Sequence, residues 1–96
     1  MLARVTMWEG GTADGIRAAA QEMQSNVSQG PPPGVKSDGF MMLVDPEGGH
    51  AMVIGLFANE DDLRESEPVL AEMNPPEGLG TRGTTEIYEV AVEARM

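Results

Sequence analysis

Two apolar runs occupy the middle of the chain, Phe40-Met41-Met42-Leu43-Val44 and Met52-Val53-Ile54-Gly55-Leu56-Phe57. The stretch between them, Asp45-Pro46-Glu47-Gly48-Gly49-His50, is rich in turn formers. The two runs are therefore expected to pair as an antiparallel hairpin. Successive side chains of a strand point to opposite faces, so a run without polar alternation implies apolar cover on both sides of the sheet.

The flanking pattern supplies the other elements. Leu2 to Glu9 alternates, with Ala3, Val5 and Met7 on one side and Arg4, Thr6 and Trp8 on the other, and reads as a first strand closed by Gly10-Gly11. Thr12 can cap a helix whose first turn carries Asp14; Ile16, Ala19, Ala20, Met23 and Val27 form one narrow apolar stripe along it. The loop 28–39 contains Pro31-Pro32-Pro33 and cannot continue that helix. After the hairpin, Asn59 caps a second helix with Glu60, Asp61 and Asp62 in its first turn and Leu63, Val69, Leu70 and Met73 as apolar positions. Pro68 is expected to kink or restart it near Ser66-Glu67. A second Pro/Gly loop, 74–83, leads to a last strand from Thr84 to Glu93.

The resulting order, β-α-β-β-α-β, is the α+β ferredoxin-like arrangement, with an expected sheet order of 4-1-3-2 and both helices on one face. Residues 1–96 are expected to form a single domain. The helix side is expected to take Ala3, Val5 and Met7 with Tyr88, Val90 and Val92; the opposite side takes Arg4, Thr6, Trp8, Ile87 and Glu89. A chain of 96 residues can cover one sheet face with its own helices, and the expected cover for the other is a second copy of itself.

Composition narrows the chemistry. Sixteen acidic against six basic side chains give a formal charge of −10, a field that repels nucleic-acid backbones and anionic membrane surfaces. With no cysteine, disulfides, thiolate metal sites, iron–sulfur clusters and a thiol nucleophile are excluded. The N-terminus has no basic-then-apolar leader pattern and no apolar run approaches spanning length, so a cytoplasmic protein is expected. The single His50 falls in the hairpin turn, where a surface role is expected, and neither a metal nor a cofactor is expected. Eight methionines against four aromatic residues suit an adaptable core or a cavity tolerant of ligand shape.

The first strand, Ala3-Arg4-Val5-Thr6-Met7-Trp8-Glu9-Gly10-Gly11, the segment Thr81-Arg82-Gly83-Thr84-Thr85-Glu86-Ile87-Tyr88-Glu89-Val90 and the element order together resemble the dimeric α/β-barrel superfamily, which includes the antibiotic-biosynthesis monooxygenases. That resemblance implies two sheets packed face to face in a homodimeric barrel, with a pocket in each protomer. Its haem-degrading members carry a ligating His on a helix, and this chain has none there.

The residues expected to line a ligand pocket are Arg4, Thr6, Trp8, Met42, Tyr88 and Glu89. Arg4 can pair with Glu86 or Glu89 or steady an oxyanion, and Trp8 can stack on an aromatic ligand or anchor an interface. The expected function is binding of a small apolar or aromatic molecule in a Met-lined pocket of the dimer. The alternative is cofactor-independent oxidation of a phenol, as the resemblance implies.

Overall fold

The structure is a computed structural model that describes residues 1–27, 30, 34–72 and 78–94. Its elements are β1 (Leu2–Gly10), α1 (Ala13–Val27), β2 (Gly39–Asp45), β3 (His50–Phe57), α2 (Glu60–Glu72) and β4 (Gly80–Glu89). The strands form one antiparallel sheet in the order β2-β3-β1-β4; counted from the β4 edge this is 4-1-3-2. The chain is thus α+β, with a topology compatible with the ferredoxin-like arrangement. No helix among the described residues is long and apolar enough to cross a membrane.

Local chemistry explains the boundaries. The Thr12 hydroxyl accepts the Gly15 amide at 3.1 Å and Asn59 Oδ1 accepts the Asp62 amide at 2.8 Å, so each helix starts on a side-chain cap. In the hairpin, Asp45 Oδ1 accepts the Gly48 amide and Gly49 takes the positive φ that the turn requires. Of the kink or restart expected at Pro68, the restart does not occur, since helix α2 runs through it as one element. One correction to the expected elements arises here. Strand β4 starts at Gly80 and ends at Glu89, four residues earlier at each end than alternation suggested. Gly80 makes the early start possible: its φ is +90°, and a Cβ there would lie 2.1 Å from the Glu9 carbonyl oxygen. Val92 lies beyond the strand and is exposed. Met73 and Pro31-Pro32-Pro33 lie outside the described residues.

The ladder registers sort the sheet into two faces. Under the helices lie the cross-strand rows Val44–Ala51–Trp8–Arg82, Met42–Val53–Thr6–Thr85 and Phe40–Gly55–Arg4–Ile87, with Phe57, Leu2 and Glu89 following. Trp8, Ile16, Ala19, Ala51 and Leu79 form one buried cluster there, with Met42 and Val53 against it. Val35, Phe57 and Leu63 form a second, flanked by Leu2, Val69 and Leu70. The other face carries the rows Leu43–Met52–Met7, Met41–Ile54–Val5–Glu86 and Gly39–Leu56–Ala3–Tyr88, and no described element packs on it.

This reverses the expected orientation of β1 and β4. Arg4, Thr6 and Trp8 face the helices, while Ala3, Val5, Met7 and Tyr88 face outward. The reason lies in what each stripe needs. Trp8 is the largest apolar side chain on β1 and is 5% exposed against α1 and Leu79. Thr6 finds Thr85 at 3.2 Å, and Arg4 finds a carboxylate on α2. The outward stripe of β1 is apolar from Ala3 to Met7, and its one charged group, Glu9, is exposed at the strand end.

Candidate functional site

Five of the six sequence-predicted site residues, Arg4, Thr6, Trp8, Met42 and Glu89, share the helix side of the sheet, and Tyr88 lies on the other. Arg4, Thr6, Trp8 and Met42 sit between sheet and helices, where packing and hydrogen bonds occupy them. Arg4 makes a two-bond contact with Glu67, Nε to Oε2 at 2.9 Å and Nη2 to Oε1 at 3.1 Å, and its Nη1 donates to Thr6 Oγ1 at 3.2 Å. The forked geometry and the low exposure of the Arg4 side chain, 11%, fix α2 over β1. The expected pairing of Arg4 with Glu86 or Glu89 is therefore replaced by Glu67. Below it, Ser66 is fully buried, donates to the Asp62 carbonyl at 2.8 Å and accepts the Lys36 amide at 2.8 Å. Trp8 Nε1 is buried with no acceptor among the described residues, and the Arg82 guanidinium lies 5.0 Å from the ring centroid. Glu89 is on the same side as Leu2 and is exposed.

Tyr88 alone of the six belongs to the open face. There it lines a trough of about 460 Å³ with Val5, Met7, Met52, Thr84 and Glu86. A second depression of about 240 Å³ shares Met7 and Met52 and reaches the hairpin end at Asp45 and His50. His50 Nε2 is 2.9 Å from Asp45 Oδ2 there, an exposed pair at the margin.

The trough has an apolar wall and a polar one, and a bulge creates the division. Thr6 pairs with Thr85, but Trp8 pairs with Arg82, so β4 carries one extra residue across that step. The shift puts Arg82 on the helix side over Trp8, while Thr84, Glu86 and Tyr88 align outward. Val5, Met7 and Met52 face them with apolar atoms only. The Tyr88 hydroxyl donates to Glu86 Oε2. That bond, and then the negative charge of Glu86, raise the Tyr88 pKa above its ordinary value of 10.0.

Sequence reasoning missed Thr84, Glu86, Val5, Met7 and Met52 as a set. The signal is present in the period-two spacing Thr84, Glu86, Tyr88, of which only Tyr88 was expected on the helix side.

Tyr88 is the sole tyrosine of the chain, so a spectrophotometric tyrosinate titration reads it alone. The midpoint is expected above the ordinary tyrosine value, and Glu86→Gln is expected to move it back toward that value. The sign follows from the bond. It favours the protonated hydroxyl, so its contribution is intact below the unfolded pKa and is lost as pH rises through the elevated one. A wild-type midpoint at the ordinary value would show that the pair does not form.

Comparison with protein-family models, with curated proteins and with solved structures finds no match to this chain.

Proposed function

We propose that this chain works as a homodimer in which two open sheet faces stack and enclose a methionine-lined chamber for a small apolar or aromatic ligand. The observation that carries this reading is the uncovered apolar face. Met41 and Leu43 are 49% and 48% exposed, and Val5, Met7, Met52, Ile54 and Leu56 all keep part of their surface in water.

Size supports a second copy as the cover. Four strands about 4.8 Å apart and about 25 Å long give roughly 500 Å² in projection. That is at the upper end of the largest apolar patches of ordinary monomers, about 300–600 Å². Side-chain relief raises the accessible area toward the ~800 Å² per partner of a standard interface. The polar groups of the face are confined to its margins, Asp45, His50 and Glu9 at one end and Thr84, Glu86 and Tyr88 along one edge. An apolar centre inside a polar rim is the anatomy of an association surface. The pairing of a face with itself is the two-fold arrangement commonest among oligomers.

Stacking a second sheet over the trough would convert an open hollow into an enclosed site. Its about 460 Å³ falls within the range of small-molecule sites, ~300–1,000 Å³. Methionines at 7, 41 and 52 give that site a surface that adapts to shape. Binding is preferred to oxidation because the face supplies apolar surface and hydrogen-bond acceptors, the ingredients of recognition. Oxygen uptake with a hydroquinone tests the alternative, a cofactor-independent monooxygenase.

Native mass spectrometry of freshly purified protein tests the binding reading. Twice the chain mass with a discrete small-molecule increment is expected. A species at the mass of a single chain would overturn it.

A further inference from the structure

The dimeric chamber proposed above has one polar wall, and its chemistry is one-sided. The Tyr88 O–H is committed to Glu86 Oε2, so the tyrosine has only acceptor capacity left. The Glu86 carboxylate accepts at several lone-pair sites and donates at none. Thr84, on the same edge, has a hydroxyl that can turn either way. Facing them, Val5, Met7 and Met52 present aliphatic carbon and thioether sulfur, and such sulfur makes favourable contacts with aromatic rings.

From this juxtaposition we infer that the Glu86–Tyr88 pair is the recognition element of the chamber, selecting a neutral aromatic ligand that carries a hydroxyl or amine donor over one that carries a carboxylate. This inference rests on the dimer reading, because only a covering sheet removes the water that would otherwise satisfy Glu86. Once water is excluded, a ligand O–H or N–H supplies a charge-assisted bond to the carboxylate. A ligand of the same shape without a donor leaves those lone pairs unmet. A carboxylate ligand adds like-charge repulsion from Glu86, within a chain already at −10. The aromatic part of the ligand lies along the Val5, Met7 and Met52 wall.

The test is calorimetric titration of the purified protein with naphthol, its methyl ether and naphthoate, with sedimentation of the same samples. Wild-type dimer is expected to bind naphthol about tenfold or more tighter than the ether, the scale of one hydrogen bond to a charged group. Naphthoate is expected to bind weakest. In Glu86→Gln, still dimeric, the advantage of naphthol is expected to fall to within about threefold and naphthoate to gain about tenfold. A dimer that binds all three equally, binds none, or keeps its preference in Glu86→Gln would overturn the inference and leave the dimer standing. A wild-type chain that sediments as a monomer would instead overturn the dimer reading, and the inference with it.

Discussion

Ile54→Lys is expected to turn the proposed dimer into a folded monomer. Ile54 lies on β3 in the central row of the open face, between Met41 on β2 and Val5 on β1. Under a second copy, its side chain sits in the apolar centre of the interface. An uncompensated buried charge costs roughly 3 kcal/mol or more, and two-fold symmetry places the substitution twice in one interface. The dissociation constant is then expected to rise by about four orders of magnitude. Within the protomer the same lysine points away from both buried clusters, so helical and strand content are expected to stay. Were the face open to water in solution, the lysine would extend into solvent and change stability by no more than about 0.5 kcal/mol, with the assembly unaltered. Sedimentation and far-ultraviolet circular dichroism on the variant separate these outcomes.

The second large effect lies on the other side of the sheet. Trp8→Ala is expected to destabilise the fold by about 3–5 kcal/mol. That is a large share of the ~5–15 kcal/mol that holds a typical domain together. Trp8 joins α1, through Ile16 and Ala19, to Ala51 on β3 and to Leu79 at the entry to β4, so its removal opens a cavity where four segments meet. Trp8→Phe is expected to cost far less, below about 1.5 kcal/mol, because it keeps most of the ring volume. It also removes a buried N–H that has no acceptor among the described residues, a group whose burial is itself unfavourable. Urea unfolding of the two variants measures both. A Trp8→Ala protein that keeps its stability and loses only its partner would place Trp8 at the interface and contradict the orientation of β1.

That orientation marks where the sequence stopped being legible. Period-two spacing tells which residues share a face, and the grouping of Arg4, Thr6 and Trp8 against Ala3, Val5 and Met7 holds in the structure. It does not tell which face the helices cover. An apolar stripe is the ordinary choice for a core, and Ala3-Val5-Met7 is the more apolar of the two. The opposite choice is made because Trp8 contributes the larger buried surface and because Glu67 and Thr85 stand ready for Arg4 and Thr6. Glu67 is 63 residues from Arg4 along the chain, a separation at which local pattern carries no information.

The two caps, the hairpin turn and the doubly apolar strands were readable because each depends on neighbours within a few residues. The bulge at Gly83-Thr84 was not. It shifts the register by one residue, so Arg82 and Thr84, which simple alternation would put together, point to opposite sides. The candidate site is affected for the same reasons. With β1 and β4 turned over, Thr6 and Trp8 are buried under the helices, Arg4 and Met42 are partly buried there, Glu89 stays exposed, and Tyr88 lies on the open face.

The most direct test is sedimentation equilibrium of the unmodified chain over a dilution series through the micromolar range. The covered-face account predicts a single species at twice the chain mass throughout. A monomer that persists across the series, with Met41, Leu43 and Ile54 facing water, would contradict it.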